Sequence, residues 1–226
     1  MYCSFFDVDG VLLDFEGGFM KVIKDYFQLD IPDDFSSKSF WFSDLLTKEQ
    51  VMEGWDYFVH SPEFEQLQPM VDPEHFNAKF GAYPVHIITN IPPDCLERRK
   101  TNLRNAGFKF DSAHCAGFIK YDGHPVQTKA DVILKLQQED EKILFVDDHP
   151  DNCLDVRESF PDAEIWLMSR PFNDDFEHPE IRRAKDWSDV LENSNIIPIL
   201  FPLANQTYLD YLDVSELKMY YSTFDY

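Results

Sequence analysis

The sequence predicts an α/β protein built on a parallel sheet, with a helical segment inserted after the first strand. Three observations predict it. Apolar runs at 2–8, 84–89, 142–148 and 163–168 have strand length, and helical patterns separate them. The stretch 15–80 contains no good strand and holds 14 aromatic residues in 66, about 21 % against 15 % for the whole chain. The composition, 44 % hydrophobic and 27 % charged over 226 residues, excludes wholesale disorder and fibrous classes and supplies a substantial core.

Taken in order, residues 2–8 are an apolar run that ends in an acidic cluster. From about 17 to 27, Phe19, Val22, Ile23, Tyr26 and Phe27 recur on one helical face. IPDDFSSKSF reads as loop, and two or three short helices fill 41–80, one of them capped by Thr47. PVHIIT (84–89) is the second strand. The segment 92–107 is a helix with prolines at its start and Gly107 at its end. A weaker strand lies near 112–118, and TKADVILKLQQED (128–140) is a helix. KILFVDD (142–148) is the clearest strand; a short helix with Pro150 near its start follows, and AEIWLM (163–168) is the last strand. The resulting division is an α/β core of 1–14 and 81–194, a helical cap of 15–80, and a C-terminal extension of 195–226 to which the sequence assigns no role.

The 20 basic residues stand against 42 acidic ones, a formal charge of −22. Such a chain lacks the basic face that tracks a nucleic-acid polymer, and its field repels anionic membranes. A small anionic substrate remains compatible where a metal or local cations reverse the field. Cysteines 3, 95, 115 and 153 have neither CxxC spacing nor a His at metal-site spacing, which fits reduced, idle thiols and a cytoplasmic location. The first residues have no signal-peptide pattern, and the apolar stretch 196–204 is too short to span a bilayer.

Open α/β sheets bind ligands beyond the carboxyl ends of their strands. There the first strand delivers Asp7, Asp9 and Gly10; the second delivers Thr89 and Asn90; the 142–148 strand delivers Asp147 and Asp148. Lys129 stands at the start of its helix. Several carboxylates at one point repel one another unless a cation sits among them, and hard oxygen donors imply Mg²⁺. A hydroxyl, a lysine and backbone N–H groups beside the metal make a phosphate site. Asp7 is then the nucleophile, and Asp9 the group that protonates the leaving oxygen and later activates water. Asp7, Asp9 and Asp147 are the expected metal ligands, with Asp148 as a further ligand or outer neighbour. Thr89, Asn90 and Lys129 are the expected phosphate binders, with Lys120 a rival for the lysine. Asn152 is a weaker candidate that also reads as a loop hydrogen-bonder, and His149, which could touch substrate, reads more readily as an exposed loop residue.

This order of motifs resembles the haloacid dehalogenase-like (HAD) superfamily. Its DxDx[TV] motif reads Asp7-Val-Asp9-Gly10-Val11 here, followed by a strand-ending Thr89, Lys129, and the strand-ending pair Asp147-Asp148. The resemblance implies a Rossmann-like core with a parallel sheet and a small helical cap after the first strand. It also implies Mg²⁺-dependent transfer of a phosphoryl group through phospho-Asp7. The second aspartate, Asp9, is similar to the phosphatase branches and not to the dehalogenases. A finer resemblance, to the 5′-deoxyribonucleotidases, rests on DGVLLDFE (9–16), SPEFEQLQP (61–69) and AKDWSDVLE (184–192). It implies a nucleoside monophosphate as substrate, with Phe15 against the base; Phe15 and Phe64 are the substrate-cap candidates, although Phe15 reads equally as cap core and Phe64 and Trp41 read more readily as core. This chain departs from that subfamily in having Thr89-Asn90 where the subfamily has Thr-Ser, and in the longer spacing from Lys129 to the acidic pair. A sugar phosphate is the alternative substrate, and a catalytically silent HAD-like binding protein the alternative class. A receiver domain is excluded because its acidic pair precedes its phosphorylated strand.

Overall fold

The computed structural model describes residues 1–32, 35–117 and 127–198. Its strands are β1 (Tyr2–Phe6), β2 (Val85–Thr89), β3 (Ser112–Cys115), β4 (Lys142–Asp147), β5 (Glu164–Met168) and β6 (Arg182–Ala184). They form one parallel sheet in the order β3-β2-β1-β4-β5-β6, the α/β architecture that the alternating pattern predicts. The order reverses at β1, between β2 and β4, which is where such sheets open a crevice for ligands. Phe6 lies level with Ile87 of β2 and Val146 of β4, so Asp7, Thr89 and Asp147 emerge at the same rim.

Side chains alternate across the central strands, as the two-residue period of a strand requires. Phe6, Ile87, Leu144, Val146, Trp166 and Met168 face one side, under helices α3 (Pro73–Phe80), α4 (Leu96–Ala106) and α7 (Trp187–Asn193). Cys3, Phe5, Phe145, Ile165 and Leu167 face the other, under α5 (Lys129–Leu136) and α6 (Pro150–Ser159). Phe6 shows how tight the first layer is: its ring centroid lies 4.8 Å from Phe76, 5.0 Å from Phe80 and 6.0 Å from Trp187. Truncating such a ring costs about 3–5 kcal/mol.

Local chemistry sets the helix ends. Asp14 caps α1 (Phe15–Phe27) by accepting from Gly17 N, and Thr47 and Gln50 form a reciprocal capping box at α2 (Lys48–His60). Thr128 and Asp131 do the same at α5, and Gly107 closes α4 in the left-handed conformation. Helix α5 stops at Leu136, four residues before the end expected from sequence. Helix α4 is preceded by a 3-10 turn at Pro93–Cys95.

The chain leaves the sheet and returns to it along paired linkers. Asp14 N donates to Gln68 O and Met70 N to Leu12 O, both at 2.9 Å. The helical insertion projects from these linkers. Within the predicted 15–80 segment, α3 lies after the return linker, and its Phe76 and Phe80 pack on the sheet. Helix α4 grips the end of the insertion. Asn102 exchanges two hydrogen bonds of 3.1 Å with the Leu67 backbone, and Arg99 Nη1 donates to Phe64 O at 2.9 Å.

Two expectations need correction. The weak strand near 112–118 pairs only over Ser112–Cys115, and residues 118–126, including Lys120, lie outside the described residues. Residues 163–168 are not the last strand: β6 follows, only three residues long. The loop before it is braced by Arg183, which donates to the Phe176 and Asn173 carbonyls at 2.6 Å. The extension is described only as far as residue 198. Among the described residues no helix is long and apolar enough to cross a membrane.

Candidate active site

The turn after β1 builds the floor of the site. Val8 O accepts from the N–H groups of Val11, Leu12 and Leu13, so the chain doubles back directly behind Asp7. Gly10 has φ +80°, a backbone conformation that favours glycine, and a Cβ there would displace the Asp148 carboxylate. Arg170 donates to Gly10 O, through Nε at 2.9 Å and also through Nη2. The Trp187 indole donates to Val11 O at 2.8 Å.

Asp7, Asp147 and Asp148 are buried and each present a carboxylate oxygen within 4.8 Å of the others. Lys129 Nζ, itself buried, bridges Asp7 Oδ1 at 2.7 Å and Asp147 Oδ2 at 2.6 Å. Asp147 is held further by the His149 N–H at 2.8 Å and by Asn152 Nδ2 at 3.2 Å. Burial pushes the Asp7 carboxyl up to about 7. The Lys129 ammonium opposes that rise and the Asp147 carboxylate adds to it. Asp148 is pushed well up by burial, with Asp7 and Asp147 reinforcing it. The Lys129 ammonium is held above its usual value because the attraction of Asp147 and Asp7 outweighs burial.

Three carboxylates against one ammonium leave two formal negative charges in a buried cluster. A hard divalent cation with oxygen preference matches that charge and that donor set. Asp7, Asp147 and Asp148 are therefore the residues that could hold it.

Asp9 is not in this cluster, which departs from the expected ligand set. Its Oδ1 lies 3.0 Å from Arg99 Nη2, because the buried guanidinium of α4 stands on that side of the turn. Burial raises the Asp9 carboxyl, and Arg99 and Lys129 pull it back down. Thr89 reaches the same rim fully buried, and its Oγ1 has no hydrogen-bond partner among the described residues. Asn90 lines the cavity above the cluster, and a Cβ at Gly117 would overlap its side chain.

That cavity has a volume of about 520 Å³ and runs from Asp7, Asp9 and Lys129 outward between the insertion and the sheet. Its outer walls are aromatic: Phe15, Phe40, Trp41, Phe42 and Trp55 from the insertion, and Phe172 from the loop after β5. Phe15 borders it while stacked on Phe19 at 5.4 Å. Trp41, which the sequence suggests is a core residue, is 53 % exposed and lines the cavity. Phe40 sits edge-on to His149 at 4.7 Å and to Phe172 at 5.4 Å, so the insertion touches the core across the mouth.

Phe64, a substrate-cap candidate that reads more readily as core, does not line this cavity. It is fully buried under the Arg99 guanidinium, 4.0 Å from ring centroid to Cζ, and packs on Phe58 at 5.6 Å. The four cysteines are free; burial lifts Cys3 to about 12 and Cys115 to about 11, which suits unreactive thiols.

Sequence reasoning passed over Arg99, Arg170 and Asn173. A signal for the first existed: Arg99, Asn102 and Leu103 share the i, i+3, i+4 spacing of the buried face of α4. Arg170 and Asn173 follow the end of β5, the same rim that supplies the other candidates. Asn173 Nδ2 donates to Asp148 O at 2.7 Å and to Met168 O at 2.9 Å, which fixes the backbone beneath the acidic pair.

No protein-family model matches the chain, and no curated protein sequence does. Solved structures match its architecture. A haloacid dehalogenase-like hydrolase from Streptococcus pneumoniae is 18 % identical, with a TM-score of 0.51 over 75 % of this chain and 85 % of that one. A HAD-superfamily hydrolase of subfamily IA from Geobacter sulfurreducens is 15 % identical, with a TM-score of 0.54 over 85 % of this chain and 95 % of that one. A Bacillus subtilis protein described as a HAD hydrolase, bound to magnesium, is 12 % identical, with a TM-score of 0.54 over 84 % of this chain and 97 % of that one. With a six-stranded parallel sheet, an acidic rim at its switch point and these structural neighbours, the chain has the haloacid dehalogenase-like fold.

Proposed function

We propose that the protein is a Mg²⁺-dependent phosphomonoester hydrolase that works through a phosphorylated Asp7. The observation that carries this reading is the cluster of Asp7, Asp147 and Asp148 around Lys129 at the foot of the cavity. Mg²⁺ bound among the three carboxylates would supply the positive charge that ionises Asp7 and screens the phosphoryl oxygens.

In the first step an Asp7 oxygen attacks phosphorus, the bond from phosphorus to the leaving oxygen breaks, and Asp9 gives that oxygen a proton. In the second, water attacks phosphorus and gives its proton to Asp9. The bond to Asp7 then breaks, and free phosphate leaves. Lys129 holds the Asp7 carboxylate in place and faces the transferred group. The buried, unpartnered Thr89 hydroxyl and Asn90 are the donors for its oxygens. The insertion covers the reacting atoms and keeps bulk water out of the first step.

The substrate we favour is a nucleoside monophosphate over a sugar phosphate, because the walls above the cluster are planar aromatics: Phe15, Phe40, Trp41 and Trp55. No expected motif residue is missing from the rim, which favours an active enzyme over a silent binding protein. The test is phosphate release from a panel of nucleotides and sugar phosphates, with and without Mg²⁺, beside Asp7→Asn. Mg²⁺-dependent release from nucleotides that the variant lacks supports the proposal. Release from sugar phosphates alone removes the nucleotide assignment. Release by Asp7→Asn at the wild-type rate removes the mechanism.

A further inference from the structure

Among the described residues Arg99 is the largest side chain that is completely buried, and nothing in the reaction above uses it. A buried cation is costly unless it is paired, so its partners show what the fold gains from it. One is Asp9, at 3.0 Å from Nη2. The others all concern the end of the insertion. Nη1 donates to Phe64 O at 2.9 Å and to Asn102 Oδ1 at 3.2 Å, and the same Asn102 holds the Leu67 backbone. The guanidinium plane lies over the Phe64 ring at 4.0 Å.

One planar cation therefore touches the carboxylate beside the nucleophile and the segment where the insertion ends. Lysine cannot do both, because it has no planar fork to stack on the ring while pairing the acid. Arg99 pairs with Asp9 through Oδ1, and Asp9 stands outside the acidic cluster while lining the cavity where substrate would sit. We propose that Arg99 is a positioning residue: seated on Phe64, it aims the Asp9 carboxyl at the leaving oxygen only while the insertion's end is docked. This rests on the phosphomonoesterase reading, and on Asp9 as its proton carrier.

Asp9 donates its proton as the bond from phosphorus to the leaving oxygen breaks. An alkyl leaving group needs that proton, whereas p-nitrophenolate departs without it. A misaimed Asp9 therefore slows the first class of substrate far more than the second, while plain loss of folding slows both alike. The experiment measures kcat and KM of wild type, Arg99→Lys, Arg99→Met and Phe64→Leu on an alkyl phosphate monoester and on p-nitrophenyl phosphate, with Mg²⁺ present. Phe64→Leu keeps the arginine and removes only its aromatic seat, so it serves where the Arg99 variants do not fold.

The expected result is a kcat loss on the alkyl ester at least about tenfold larger than on p-nitrophenyl phosphate, with KM little changed. Arg99→Lys should recover part of what Arg99→Met loses. Equal losses on the two substrates, or no loss, in a folded variant overturn the positioning role while leaving the phosphatase reading intact. A wild-type protein that releases phosphate neither from these two esters nor from the nucleotides and sugar phosphates overturns both.

Discussion

Replacing Asp148 by Asn should separate the electrostatic cost of the acidic cluster from the rest of the fold. Asp7 has a carboxyl lifted from the ordinary 3.8 to about 7 by burial, and Asp148 is lifted in the same direction. Between those values the folded protein binds more protons than the unfolded chain, so metal-free stability falls as pH rises through that window. The Asp7 shift alone corresponds to about 4 kcal/mol. A single like-charge pair at 4.8 Å costs about 3 kcal/mol at an effective dielectric of about 20, the same order. For a chain of this length that is about 10 °C of melting temperature. Thermal melts at pH 5 and pH 8, with EDTA or with Mg²⁺, read the part of it above pH 5, about 3 kcal/mol for Asp7. Wild type should melt lower at pH 8 than at pH 5 in EDTA, and Mg²⁺ should restore more at pH 8 than at pH 5. Asp148→Asn removes one charge from the cluster. Its metal-free pH dependence should shrink, and its Mg²⁺ increment should fall to less than half that of wild type. An Asp148→Asn protein with the wild-type pH dependence and the wild-type Mg²⁺ increment would refute the reasoning.

Lys129→Met should destabilise the metal-free protein by about 3–5 kcal/mol, because it leaves the Asp7 and Asp147 carboxylates buried without their cation. Denaturant melts measure this, and an unchanged midpoint would contradict the bridging role. Phe15→Ala should raise KM for nucleotides more than for sugar phosphates, since Phe15 borders the cavity; steady-state kinetics on both classes check it. Phe64→Ala should lower the unfolding free energy by about 3–5 kcal/mol, which denaturant melts measure, because its ring is fully buried away from the cavity.

The parts of the fold legible in the sequence are those where local pattern and tertiary role agree. Strands β1, β2, β4 and β5 are apolar runs because both of their faces are covered, and each reads as such from the chain alone. Strand β6 is not legible: three residues, two of them arginine, carry no alternation, and edge pairing with β5 is what makes them a strand. The rim was legible because strand ends announce it, and Asp7, Lys129, Asp147 and Asp148 do converge there. Side-chain direction within the rim was not. Asp9 lies two residues from Asp7, yet its carboxylate meets a guanidinium from α4, 90 positions further along the chain. Phe64 is buried as its core reading has it, whereas Trp41 is not. Nothing local shows that Arg99 lies over the first, or that the second stands at the cavity wall.

The central claim is that Asp7 carries the phosphoryl group. Its most direct measurement is acid quenching during turnover of a radiolabelled phosphomonoester with Mg²⁺, followed by peptide mapping. Label should appear on the peptide that contains Asp7, be lost on treatment with hydroxylamine and be absent from Asp7→Asn. Turnover with no label on that peptide in the quenched enzyme, together with phosphate release surviving in Asp7→Asn, would contradict it.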